Sequence, residues 1–170
     1  MHPMFTLRWP AMVLTATLLA GMLATATPVA ADDRHEGYYY PDVTSRETYP
    51  ARAPTLRDSD RRRRIGFIVG LTQQQIENPF PAQVAIFSKG AEQEKLIIVA
   101  LNRNALASLY QARGFLAQMT ASARASAIFV ENRVEDTYTF LDLLALLGFE
   151  QVTISDGLTY AHQIMIELQQ

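Results

Sequence analysis

Apolar residues follow two regimes along the chain. From Ala11 to Ala26 they run almost unbroken through Ala, Leu, Met, Val, Gly and Thr, without a charge. From Ile65 onward they recur in short patterned runs separated by polar turns. Between the two, Asp32 to Asp60 is polar, holds Pro41, Pro50 and Pro54, and sustains neither a period of 2 nor one of 3.6. This pattern predicts a signal peptide over 1–31, an extended Tyr- and Pro-containing arm over 32–60, and a single folded domain over 61–170.

The first regime has the three parts of a secretory signal. Arg8 supplies the positive start, the apolar run follows, and Val29-Ala30-Ala31 puts small residues before Asp32-Asp33. Cleavage after Ala31 and a periplasmic product are expected, with the membrane met only during export. The alternative is a retained anchor, because the uncharged span between Arg8 and Asp32 approaches a bilayer crossing. Gly21, Pro28 and the threonines make it a poor permanent anchor.

In the body, alternation through Ile65, Phe67, Val69 and Leu71 predicts a strand, with Gly66 and Gly70 on its other face where a second element would approach. Leu71 to Pro81 reads as a short helical turn. Gln83–Ser88 and Lys95–Leu101 read as a strand pair, the second apolar on both faces as a central strand should be. Asn104 is placed as the cap of a helix running to about Arg124. Ile128 to Val130 is a short apolar segment. Asp136 or Thr137 caps a second helix with Phe140, Leu143, Leu144 and Leu147 inward, ended by Gly148. Gln151–Ser155 and Gln163–Leu168 are two further strands around an Asp156-Gly157 turn. The expected fold is α+β, a mostly antiparallel sheet of about five strands covered by two helices.

Composition narrows the function. The 170 residues are 49% hydrophobic and 19% charged, an ordinary globular balance. A net charge of −2 argues against nucleic acid as a partner. The absence of cysteine excludes disulfides, thiolate metal sites, cysteine nucleophiles and a lipoprotein anchor.

The candidate chemistry is sparse. Arg61, Arg62, Arg63 and Arg64 form the most charged stretch, suited to an anion, an acidic protein partner or a membrane complex. Asp58 and Asp60 partly neutralise it, and a solvated strand start explains the same residues. Tyr38, Tyr39 and Tyr40 suit a partner-binding anchor or self-packing of the arm. Asp156 and His162, with Ser155, are weak catalytic candidates for acid–base work or a triad, although no Gly-x-Ser-x-Gly elbow surrounds Ser155. A turn aspartate and a structural histidine are the reading favoured for these residues. Glu131, Glu135 and Asp136 are dense enough to suggest calcium but lack EF-hand spacing, and acids at a helix start explain them. Lys89, Lys95, Glu92 and Glu94 read as a solvated hairpin loop. Gly66 and Gly70 match neither a P-loop nor a dinucleotide fingerprint. His35 and His162 are too few for zinc. No cofactor and no metal are expected.

A set of motifs runs through the mature chain: Gly37-Tyr38-Tyr39-Tyr40-Pro41, Asp58-Ser59-Asp60-Arg61, Gly66-Phe67, Ala85-Ile86-Phe87, Lys89-Gly90 and Glu94 to Val99. It continues in Val134-Glu135-Asp136, Leu147 to Gln151, Ser155-Asp156-Gly157 and His162-Gln163. In these the chain resembles a family of short exported alphaproteobacterial proteins, often named molybdopterin-guanine dinucleotide biosynthesis protein A. The name implies guanylyl transfer, for which the chain offers no nucleotide loop. The expected role is therefore an exported, non-catalytic interaction or accessory protein. The alternative is a small periplasmic hydrolase or transferase acting on an anionic substrate.

Overall fold

The computed structural model describes residues 40–169. The signal segment 1–31, His35, Tyr38 and Tyr39 lie outside them. The elements in chain order are β1 (Ser45–Pro54), α1 (Arg61–Glu77), β2 (Val84–Lys89), β3 (Lys95–Ala100) and α2 (Leu109–Arg124). They are followed by α3 (Ala127–Asn132), α4 (Phe140–Leu146), β4 (Gln151–Ser155) and β5 (Ala161–Gln169). The five strands form one sheet in the order β1-β5-β4-β3-β2.

The fold is α+β, but the sheet is mixed where a mostly antiparallel one was expected. β2/β3 and β4/β5 are antiparallel, whereas β3/β4 and β1/β5 are parallel. The reason lies in the connections. Everything from α2 to α4 sits between β3 and β4, and such a crossover brings the chain back to start its next strand at the same end. The helices number four among the described residues, not two.

The largest correction concerns Ile65 to Leu71, which is helix rather than strand. Asp60 caps α1 by accepting the Arg63 N–H at 2.7 Å. Arg64, Phe67, Ile68, Leu71 and Gln75 then recur at helical spacing on the inward face. A short apolar run satisfies periods 2 and 3.6 alike, and the 17-residue length of the segment decides for helix. Gly66 and Gly70 face outward, and an added Cβ at either meets nothing within 4 Å. Among the described residues no second element approaches there.

The second correction concerns residues read as an arm. Ser45 to Pro54 is an edge strand, paired with β5 in a register that sets Ser45 beside His162 and Tyr49 beside Ile166. Its inward positions are Ser45, Glu47, Tyr49, Ala51 and Ala53, too polar or too small to reveal a strand by alternation. Prolines at 50 and 54 suit an edge, where a missing N–H leaves no ladder bond broken.

Two helix starts also move. Asn104 adopts a left-handed φ of +65° in the preceding loop, and Ser108 caps α2 instead. Thr139, not Asp136 or Thr137, caps α4 through a capping box with Asp142. The apolar segment at 128–130 is the short helix α3.

One face of the sheet carries the helices. Leu96, Ile98, Val152, Ile154, Ile164 and Ile166 pack there with Phe129, Phe140, Leu144 and Phe149. α4 is buried all round, so its burial exceeds the one-sided face expected. Gly148 ends it at φ +74°, where Arg64 and Ser59 crowd in so closely that no side chain fits. On the other face Tyr40 packs with Ile97 and Ala161 as a smaller cluster, so the chain enters the described body across the side without helices.

Candidate functional site

The four arginines separate into different roles. Arg64 is 6% exposed. Its Nε donates to the Glu92 carbonyl at 2.7 Å, and Nη1 donates to the Leu147 and Gly148 carbonyls at 3.3 Å. It therefore ties the start of α1 to the end of α4 and to the β2–β3 turn, satisfying carbonyls that the end of α4 leaves without helical partners. Arg63 pairs with Asp58. Arg61 and Arg62 point into solvent. Of the Tyr38 to Tyr40 run, Tyr40 is the described member, and it is buried.

Asp156, Ser155 and His162 are not brought together as a triad. Asp156 accepts the N–H groups of Leu158, Thr159 and Tyr160 at 2.8–2.9 Å, closing its own turn. Burial opposes its charge, but those donors win and hold its carboxyl below the ordinary range. Ser155 donates to the Tyr160 carbonyl at 2.7 Å and accepts from Gly157 N–H at 2.9 Å. His162 lies opposite Ile154 across the β4–β5 ladder and Ser155 lies opposite Ala161. Side chains alternate along a strand, so the two residues occupy opposite faces of the sheet.

The partners of His162 come instead from β1. The ring is 1% exposed. Its Nδ1 lies 2.7 Å from Ser45 Oγ, and its Nε2 lies 3.2 Å from Glu47 Oε1. The second contact is ion-pair close but poorly aligned, which leaves Nε2 without a well-formed hydrogen bond. Glu47 Oε2 accepts from Arg113 Nη2 of α2 at 3.0 Å, and the Tyr160 hydroxyl stands 3.3 Å from Ser45 Oγ. Burial works against the Glu47 charge, but Arg113 and His162 outweigh it and hold its carboxyl below the usual range. Sequence reasoning singled out His162 and missed Ser45, Glu47 and Arg113. The signal for two of them was the alternation of inward polar residues, Ser45-x-Glu47-x-Tyr49, which a search for apolar alternation passes over.

A second polar knot joins β1 to α4. Asp142 is fully buried. Its Oδ1 accepts Arg52 N–H at 2.8 Å, and its Oδ2 takes the Tyr49 hydroxyl, Arg52 Nη2 and Thr139 N–H, each at 2.8 Å. Arg52 lies where the β1–β5 register shifts, so its N–H is turned from the ladder to the carboxylate. Burial disfavours the Asp142 charge, yet these donors keep its carboxyl below the ordinary range. Burial first, and then the Asp142 charge, push the Tyr49 phenol up.

At the opposite edge, α1 and β2 border an apolar cleft of about 590 Å³ lined by Thr72, Ile76, Phe80, Val84, Ile86 and Leu101. Ile76, Phe80 and Leu101 are 76%, 74% and 57% exposed. A neighbouring cleft of about 330 Å³ continues to Phe115 and Met119 of α2.

No family model, curated protein or solved structure matches this chain. Its chemistry therefore rests on these geometries. The His162 ring stands between Ser45 and Glu47, at 2.7 and 3.2 Å, and is closed to solvent. The Asp142 knot is saturated by its own donors. Glu131 and Asp136 are exposed and Glu135 is half-buried, and no group of acids or histidines among the described residues is arranged to hold a metal. No described helix is long and apolar enough to cross a membrane. Single exposed apolar residues also occur at Tyr110, Val130, Leu158 and Met165, but on the α1–β2 flank several gather: Ile65, Val69, Ile76, Phe80 and Leu101.

Proposed function

We propose that this chain is an exported, non-catalytic interaction protein whose contact surface is the flank built by α1, the loop 78–83 and β2. The observation that supports it is the gathering of Ile76, Phe80 and Leu101 around one cleft while highly exposed. Exposed apolar patches of this kind mark sites of association. Arg61 and Arg62 add a positive end to the same helix, suited to an acidic partner such as a periplasmic face of a membrane complex. A photo-crosslinking residue at Phe80 in cells, compared with one at Thr48 on the far edge, tests this. Specific adducts at Phe80, weakened by Leu101→Asp or by Arg61→Ser with Arg62→Ser, are expected. Equal adducts at both positions overturn the assignment.

One observation favours a second reading, a serine hydrolase using Ser45, His162 and Glu47: the two contacts at 2.7 and 3.2 Å. Ser45 would be the nucleophile and His162 its base, oriented by Glu47. Labelling of Ser45 by a fluorophosphonate, lost in His162→Ala, is its test. A folded chain that takes no label excludes it.

A further inference from the structure

The sheet has two edges, and among the described residues no strand pairs with the outer side of β2. Leu101 donates its N–H to the Gln83 carbonyl at 2.9 Å. In the antiparallel ladder that follows, Gln83, Ala85 and Phe87 turn their backbone groups toward β3. Val84, Ile86 and Ser88 then turn theirs outward, three donors and three acceptors in a row. The segment Val84-Ala85-Ile86-Phe87-Ser88 holds no proline and no charge, the usual guards of an edge.

α1 presents a stripe on the same side. Ile65, Val69, Thr72 and Ile76 recur at helical spacing, and the three apolar members are 37%, 57% and 76% exposed. Helix and strand are held in a definite alignment. Ile76 shares a cleft with Val84 at one end, and Arg64 bonds the Glu92 carbonyl at the other. The middle of the stripe, Val69 to Thr72, therefore lies beside Ile86, the middle of β2.

We infer that two copies of this chain pair through β2, antiparallel about a two-fold axis at Ile86, and form a continuous ten-stranded sheet. This rests on reading the α1–β2 flank as an interaction surface. With the axis at Ile86, each Ile86 exchanges both backbone bonds with its counterpart, and Val84 does so with Ser88 of the second copy. That makes six ladder bonds with no mismatch. Lys89 falls opposite Gln83 of the second copy, so no like charges face each other. The same axis passes between Val69 and Thr72 and sets the two α1 stripes antiparallel. Arg61 and Arg62 of one helix then meet the end of the other, where Glu77 carries the opposite charge and Phe80 offers a ring face to a guanidinium. Backbone pairing, apolar stripe and charge thus agree on one axis, and the occupant that supplies all three is a second copy.

Sedimentation of the mature chain should give a dimer in the micromolar range. Val69→Asp and Ile76→Asp change exposed side chains, so folding, checked by circular dichroism, should persist while the dissociation constant rises about tenfold or more each. The chain lacks cysteine, so Ile86→Cys, a buried position whose folding is checked in the same way, places one thiol per copy on the proposed axis. Its Cα should lie about 5.5 Å from its counterpart, within disulfide range, and oxidation should yield a covalent dimer, whereas Thr48→Cys should not. A folded chain that stays monomeric at high micromolar concentration overturns the inference. So does a monomer whose Val84, Ile86 and Ser88 amides are protected from exchange, which would place another segment of its own chain on the edge. A monomer that still gives Phe80 adducts refutes the dimer alone. A dimer without hetero-adducts refutes the acidic partner alone.

Discussion

The two edges of the sheet are finished in different ways. β1 is guarded by prolines and charges and fastened to α4, α2 and β5 by polar knots, with Asp142 gripping a backbone N–H, Arg113 reaching Glu47, and Ser45 and Glu47 against His162. β2 carries neither proline nor charge before Lys89, and beside it apolar side chains stand in solvent. A closed edge stabilises the fold, and an open edge is available for association. Substitutions on the β1 side should therefore lower stability, and those on the β2 side should lower association while leaving stability nearly unchanged.

The strongest test of that contrast is Asp142→Ala. It strips a buried carboxylate from five donors and leaves Arg52 N–H and Thr139 N–H unsatisfied, while the Tyr49 hydroxyl keeps Thr139 Oγ1. A loss of about 3–5 kcal/mol is expected from urea unfolding. Amide exchange should speed up first in β1. Arg64→Ala comes next, at about 2–3 kcal/mol, because three carbonyls lose a charged donor in a buried place. Although Arg64 belongs to α1, its loss is expected to act at the end of α4 and the β2–β3 turn, a case where the β2 side does depend on a polar tie.

Acid provides a third test. The folded Asp142 carboxyl lies below its ordinary value of 3.8, so its contribution is present above that value and is lost as pH falls through the lower folded value. Glu47, lowered in the same sense from 4.5, adds to the effect. Stability followed from about pH 6 to about pH 2 should fall steeply at the acid end, and Asp142→Asn should flatten that fall.

Two small effects complete the series. Thr139→Ala removes the α4 cap and should cost about 1 kcal/mol. Phe80→Ser on the open side should shift stability by no more than about 0.5 kcal/mol. A larger loss would show that the exposed ring is structural and would break the contrast.

The strands β2, β3, β4 and β5 were legible because each couples an apolar run to a turn of recognisable chemistry, and β3 showed its central place by being apolar on both faces. α4 was legible through Gly148 and its leucines. α1 was misread because Ile65 to Leu71 is too short to separate the two periods, and its register depends on Arg64, a charge whose burial the carbonyls of Glu92, Leu147 and Gly148 make tolerable. β1 was hidden because its inward face is Ser, Glu, Tyr and Ala, and its place comes from partners more than a hundred residues later. The same distance concealed the His162 cluster. His162 was visible as a titratable residue, but the local aspartate at 156 drew the pairing that Glu47 holds in space. The open β2 edge was visible only as a plain apolar run, since strand order decides which strand is outermost.

The pairing of β1 with β5 has a consequence in time. The first described strand to emerge from a ribosome aligns with the last described one, since Ser45 lies beside His162. Until the final residues arrive, β1 has no neighbour in the sheet, and closing so long a loop is slow compared with forming the β2–β3 hairpin. The chain thus cannot complete its sheet while part of it is still in transit. Completion of the five-stranded sheet waits for β5, which leaves β1 without its neighbour until that strand has been made.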